Sequence, residues 1–348
     1  MLPSNFWRSL VSWTFGVILL ALVLFYALQA IVAGSTRPVT VVVYAFSTQE
    51  EVLTQGIFPA FERQWETETG RALTIEAVFG PSGTLARQIV LGAPADVALF
   101  SHEQHVTWLK AAQLVDRQTQ SSPVCYTPMV IVTRPGNPAG LAAFSDLVQP
   151  GLRLLHPDPR SSGAGEWALL AEYGSILLET DRPELAQGQL RSIWQNVRLL
   201  TPSARTTLTV FELGAGDVFI TYEQDARLAL ERGVPLEIVV PARTILAQNR
   251  VVTVDANVTT AEAAAVQALV DYMTGPQGQA EFARFHFRPA KLPPPDGFPV
   301  LAQPFTVQTL GGWPDAYASI IEDVWQNKIE PGLDLETDRD EPRSVTGG

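Results

Sequence analysis

Short β-branched runs alternate with helix-patterned segments along almost the whole chain, and that rhythm restricts the fold more than any other feature. The first run, residues 38–46, reads PVTVVVYAF and has strand length. A helical pattern follows, with Val52, Leu53, Ile57, Phe58, Phe61 and Trp65 roughly on one face. Pro59 sits inside it, which predicts a kink or break there. Residues 73–79 form a second strand pattern, broken at Gly80 into the tight loop Gly80-Pro81-Ser82-Gly83, and 84–91 suits a helix. Further strands are expected over 95–100, 129–132, 152–155, 217–222 and 236–240, with helices over 166–178 and 260–273. Such alternation predicts α/β layers and largely parallel sheets. No internal repeat is visible.

Composition removes several function classes. The chain has 348 residues, 36 Asp+Glu against 24 Lys+Arg and a net charge of −12, which argues against nucleic acid or an anionic membrane surface as partner. One cysteine, Cys125, can form neither an internal disulfide nor a Cys-rich zinc site. The amino terminus is distinctive: residues 9–36 carry no charge, enough to cross a bilayer core as a helix. The segment 1–37 is therefore a membrane anchor or signal. The length of its apolar run and the poor cleavage site at Ala30-Ile31-Val32-Ala33 favour an uncleaved anchor. Everything from about Arg37 onward is then extracytoplasmic, in the periplasm or on the outer face of the cell membrane. From Glu330 the chain turns polar and acidic, and 330–348 is expected to be a disordered tail.

Catalytic motifs are scarce. His102-Glu103-Gln104-His105 lacks the spacing of a zinc-protease helix and reads as a solvated helix start. No phosphate-loop lysine and no nucleophile elbow occur, and Gly163-Ala164-Gly165 imitates only part of a dinucleotide fingerprint. What recurs is small or hydroxyl residues where helices begin: Ser47-Thr48, Ser82-Gly83 and Ser162-Gly163-Ala164. Each can be an ordinary N-cap. Each also offers free backbone N–H groups at a positive dipole end, which suits an anion. Hydroxyl-rich Thr206-Thr207-Leu208-Thr209 adds to that theme, and Arg87 or Arg205 could lend charge from nearby.

In these segments the chain resembles the periplasmic sulfate/thiosulfate-binding proteins of ABC importers. The resemblance covers roughly residues 39–329. It is carried by Gly80-Pro81-Ser82-Gly83 with Arg87, Gly136-Asn137-Pro138, Pro157-Asp158-Pro159-Arg160-Ser161-Ser162-Gly163, Ser203-Ala204-Arg205, Gly214-Ala215-Gly216-Asp217-Val218, Phe287-Arg288-Pro289 and Gly311-Gly312-Trp313, in that order. The resemblance implies a two-lobed α/β periplasmic-binding-protein fold of class II with a hinge. Lobe 1 would comprise 38–125 and 242–329, and lobe 2 residues 126–241. By the same resemblance the ligand donors fall at Ser47, Ser82, Ser162, Gly163, Ala164, Ala204 and Tyr222, with no catalytic residue, metal or cofactor. Two positions depart from the family pattern: Ser47 stands in place of an aspartate and Tyr222 in place of a tryptophan. A phenol can accept as well as donate, whereas an indole N–H only donates. Molybdate-binding relatives carry a tyrosine donor at a comparable place, and Thr84-Leu85-Ala86-Arg87-Gln88 also resembles them.

The expected function is capture of a tetrahedral oxyanion, sulfate or thiosulfate, for an ABC importer permease. A molybdate- or tungstate-binding protein of the same fold and a membrane-tethered oxyanion sensor are the alternatives. A hydrolase of sulfate or phosphate esters is a further rival, without an evident nucleophile–base pair in the sequence.

Overall fold

A computed structural model describes Ile18, residues 20–25, 38–294 and 296–333. The chain opens on β1 (Val39–Phe46), whose alternate residues Val41 and Val43 are fully buried. Helical turns follow without interruption from Ser47, through a wide-turned stretch at Leu53–Ile57, into α1 (Phe58–Thr69). Pro59 thus causes no break. It lies at the first positions of α1, where its missing N–H costs little, and the wide turns just before it accommodate its ring.

Then come β2 (Leu73–Gly80), α2 (Ser82–Val90), β3 (Val97–Phe100), α3 (Glu103–Ala111) and the twelve-residue β4 (Ser122–Thr133). They are followed by β5 (Leu154–Pro157), α4 (Gly163–Thr180), α5 (Pro183–Trp194), β6 (Val197–Thr201), α6 (Ala204–Glu212), β7 (Val218–Tyr222), α7 (Glu223–Glu231) and β8 (Glu237–Val239). The chain continues with β9 (Arg243–Thr253), α8 (Ala263–Thr274), α9 (Pro276–Arg284), β10 (Arg288–Pro289) and β11 (Gln303–Phe305). It ends in α10 (Trp313–Ala316), which runs on into the helical stretch Tyr317–Ile329.

The main path of strands is β2-β1-β3-β9-β4-β7-β5-β6. Pairing is parallel at β1–β2, β1–β3, β5–β6 and β5–β7, and antiparallel wherever β4 or β9 takes part with β3, β7 or each other. The expectation of largely parallel sheets therefore holds within each half and fails where the halves join. β4 serves both: its first half pairs with β9, and Met129–Thr133 pairs with β7.

Helices cover both faces of each half, which is why the parallel strands read as nearly continuous apolar runs. Val41, Val43, Phe61, Leu269 and Phe282 pack on one face of the β1 half, and Tyr44, Leu85, Phe100 and Leu109 on the other. In the β5 half, Met129 and Ile131 face Trp167, Leu190 and Trp194, while Val130 and Val132 face Leu208, Phe211 and Phe219. Helix α4 is buried on nearly all sides from Gly163 to Ile176, as expected of a core helix without a polar face.

One boundary differs from expectation. The resemblance implies that 242–329 belong to the first lobe, but Phe305, Trp313, Ile321 and Trp325 are packed with Trp167 and Trp194 in the second. The cause is β11, which pairs with the start of β9 and directs the following helix across α4 and α5. The disorder expected from Glu330 onward does not hold for its first residues. Glu330–Gly332 forms a short turn in which Glu330 pairs with Arg160 at 2.6 Å. The rest of that tail, 334–348, lies outside the described residues.

The expected membrane segment, 9–36, also lies largely outside them. Ile18 and residues 20–25 are helical, and among the described residues no helix is long and apolar enough to cross a membrane.

Candidate functional site

Parallel strands in both halves point their carboxyl ends at one crevice, the usual position for a ligand in α/β sheets. The β1 half contributes Phe46, Ser47 and Thr48 after β1, and Pro81 and Ser82 after β2. The β5 half contributes Ser162, Gly163 and Ala164 after β5, Ser203 and Ala204 after β6, and Tyr222 at the end of β7. Together they line a small cavity of about 10 Å³. All seven candidates, Ser47, Ser82, Ser162, Gly163, Ala164, Ala204 and Tyr222, are among these residues.

Four helical segments start at this cavity, at Ser47, Ser82, Gly163 and Ala204. The first N–H groups of a helix have no partner within it. Side-chain caps take few of them: Ser162 Oγ accepts from Gly165 N at 3.4 Å, and Ser203 Oγ from Thr206 N at 3.1 Å. In α2, Gly83 N donates across the crevice to Ser161 O at 3.0 Å. The amides of Ser47, Gly163, Ala164 and Ala204 stand at the lining with the positive ends of their helices behind them. No lining residue carries a formal charge. Burial pushes the Tyr222 phenol well above its ordinary value, so it too stays neutral.

The halves are in contact around the cavity. Ser101 Oγ and Tyr222 OH share a hydrogen bond of 2.8 Å, and Trp167 Nε1 donates to Ser101 O at 3.1 Å. Arg87 Nη1 donates to Arg160 O at 2.8 Å. Gly163 permits the closest approach, since a Cβ there would fall 2.5 Å from Ser101 Cβ.

The two arginines considered as sources of charge are otherwise engaged. Arg87 lies over the Trp108 ring, and Arg205 is bound to Glu51 at 2.5 Å with Asp225 at 3.6 Å. The threonines of α6 also face elsewhere: Thr207 Oγ1 returns to Ser203 O, and Thr209 Oγ1 to Arg205 O.

A second correction concerns His102 and His105, which are fully buried rather than solvated. His102 Nε2 meets Glu166 Oε2 at 2.5 Å, and His105 Nε2 lies 3.3 Å from the same oxygen. His105 Nδ1 is 2.9 Å from Ser82 Oγ, which also accepts from Ser101 N at 3.0 Å. Burial would raise the Glu166 carboxyl, but the two imidazoles hold it down at about 2. Burial and the neighbouring His105 lower His102 to about 4, against the pull of Glu166. Neutral His102 thus donates to an ionised Glu166. Among the described residues these three bring potential metal-ligand atoms within 4.8 Å of one another. This cluster was not legible in the sequence, because Glu166 lies far along the chain from His102 and His105 and only the folded packing brings them together. Ser101 was also missed, although it follows β3 as Ser47 follows β1.

Comparison with known proteins identifies the family. Residues 41–288 match the family profile of the bacterial extracellular solute-binding proteins. A sulfate-binding protein of Synechococcus elongatus is 30% identical over 320 residues, covering 88% of this chain and 90% of that protein. A sulfate-binding protein of Escherichia coli is 33% identical over 275 residues, 74% and 82% of the two chains. Among solved structures, the sulfate-binding protein SubI of Mycobacterium tuberculosis superposes with a TM-score of 0.73 at 28% identity, covering 80% of this chain and 98% of its own.

Proposed function

This chain belongs to the bacterial extracellular solute-binding proteins, and from that premise we propose that it captures a tetrahedral oxyanion, sulfate or thiosulfate, for the permease of an ABC importer. The carrying observation is the convergence of four helix amino termini from both sheet halves on one uncharged cavity. Amides and hydroxyls there replace the hydration shell of the ion, and the dipoles behind them offset its charge. The sulfate-binding names of the relatives support the ligand class.

Capture is closure of two lobes about β4 and β9, the strands shared between the halves. Release follows when the permease separates them. The ligand donors are Ser47, Ser82, Ser162, Gly163, Ala164, Ala204 and Tyr222. A set dominated by donors discriminates against hydrogen phosphate, whose own O–H would face a donor and leave it unpaired.

The chain works outside the cytoplasm, tethered by residues 9–36. In support, Ile18, Leu20, Val23 and Leu24 are each more than half exposed on their helix, apolar surface that a bilayer would cover.

Calorimetric titration of the detergent-solubilised chain should give sulfate binding that hydrogen phosphate competes for poorly. Equal affinity for the two ions, or binding of neither, would overturn the reading.

A further inference from the structure

Ser101 stands outside the lining, yet it is bonded to a lining hydroxyl from each half. It follows β3 at the carboxyl end of the β1 half and is fully buried. Its amide donates to Ser82 Oγ at 3.0 Å, and its hydroxyl shares the 2.8 Å bond with Tyr222 OH. Two donors converge on its carbonyl, Trp167 Nε1 of α4 at 3.1 Å and Asn249 Nδ2 of β9 at 3.0 Å. The residue is therefore held from the β1 half, from the β5 half and from a strand that both share. Gly163 makes room for it, since a Cβ there would collide with the Ser101 hydroxyl.

Two hydroxyls joined by one hydrogen bond leave one proton over, and its position decides what the cavity presents to a ligand. If Tyr222 donates to Ser101, the spare proton is on Ser101 Oγ. Among the described residues that oxygen has no second partner, and Trp167 and Asn249 already occupy the neighbouring carbonyl. The proton is then buried without an acceptor, which is costly. If Ser101 donates to Tyr222, the spare proton is on the phenol, which lines the cavity and meets a ligand oxygen there. Only this second arrangement leaves neither hydroxyl proton unpaired once an oxyanion is bound.

Resting on the oxyanion reading of this site, we propose that Ser101 is a specificity-determining positioning residue: its hydroxyl donates to Tyr222, holds the phenol with its proton toward the cavity, and so restricts the ligand to a fully ionised oxyanion.

A phenol engaged in this way acts as a donor alone, because its oxygen accepts from Ser101 and its single proton goes to the ion. Burial keeps that proton on Tyr222 well above neutral pH, so the donor is always present. Hydrogen phosphate resembles sulfate in shape but carries one O–H. Against Tyr222, that O–H meets a second donor and neither proton finds an acceptor. Sulfate and thiosulfate, with acceptor atoms only, meet no such conflict. Through its amide Ser101 also occupies a lone pair of Ser82, which reduces the accepting capacity of a second lining hydroxyl.

The test is calorimetric competition between sulfate and hydrogen phosphate on the full chain. At about pH 8 phosphate is mainly the dianion, so it differs from sulfate by its proton rather than by its charge. Ser101→Ala frees the phenol to turn and accept. The preference for sulfate over hydrogen phosphate should then fall by about tenfold or more, chiefly through tighter phosphate binding. In a chain that already carries Tyr222→Phe, the same Ser101→Ala change should leave the preference where it was, because no phenol remains to be oriented. Packing lost at position 101 would instead weaken both ions together, in either background. Equal weakening of the two ions, or a shift in preference that persists without the phenol, would overturn the proposal and leave the oxyanion reading standing. Failure of the original chain to bind either ion would sink that reading and the proposal with it.

Discussion

At the scale of single residues, Tyr222 is the most informative member of the lining. Its hydroxyl is bonded to Ser101 Oγ at 2.8 Å, and either oxygen can supply the proton. If Ser101 donates, the phenol proton is free for the cavity and suits a fully ionised sulfate. If Tyr222 donates, a lone pair faces the cavity and suits the O–H of hydrogen phosphate. Removing the hydroxyl by Tyr222→Phe should weaken sulfate by about 1.5–3 kcal/mol, roughly ten- to a hundredfold, the cost of a lost hydrogen bond to a charged group. Competition calorimetry with both anions checks it; unchanged sulfate affinity would take the phenol out of the contact set. Resemblance located this residue in the sequence. Its partner Ser101 was not legible, because a serine after a short apolar strand is too common to signal anything until the opposite half is folded against it.

At the scale of elements, the helix starts explain why several were readable and others were not. The patterns before Ser47, Ser82 and Gly163 end in β-branched or apolar strand runs, so strand, turn and helix were separable by composition. Ala204 follows a strand, 197–201, in which Arg198 and Leu199 are exposed, and that strand went unseen. β9 was missed for a related reason: its buried positions include Thr244 and Asn249, whose polar atoms are satisfied by Met129 O and Ser101 O. Polar residues buried with partners give no hydrophobic period. The amino-terminal segment is the converse case, a strong composition signal on an element mostly outside the described residues. If residues 9–36 anchor the chain, it should stay with membranes through an alkaline carbonate wash and be released when those residues are deleted; release of the intact chain would refute the anchor.

At the scale of the whole molecule, stability should depend on pH through buried groups of opposite sense. Burial lowers His102 and His156 from 6.5 to about 4, so the unfolded chain binds more protons in that window. Stability from these two is full above 6.5 and falls as pH drops toward 4. Glu172 behaves oppositely: burial raises it from 4.5 to about 8 despite the bond from Trp194, so the folded chain holds the extra proton. Its contribution declines as pH rises from 4.5 to 8. Two imidazoles outweigh one carboxyl below 6.5, and only Glu172 acts above it, which puts the maximum from these groups near 6.5. Thermal unfolding of the ligand-free chain should follow that curve, and Glu172→Gln should remove the decline between about 6.5 and 8 while keeping an acceptor for Trp194. A melting temperature that climbs steadily through pH 8 in the original chain would contradict this assignment.

The sequence by itself determined the α/β class, the family and the turns that meet at the cavity, because strand and helix periods and the residues that start helices are local properties. It could not place 305–329 on the second half, bury His102 and His105 against Glu166, or set Ser101 against Tyr222. Those depend on pairs of residues far apart in the chain, and only the packing of α4 between the two halves and the pairing of β11 with β9 bring them together.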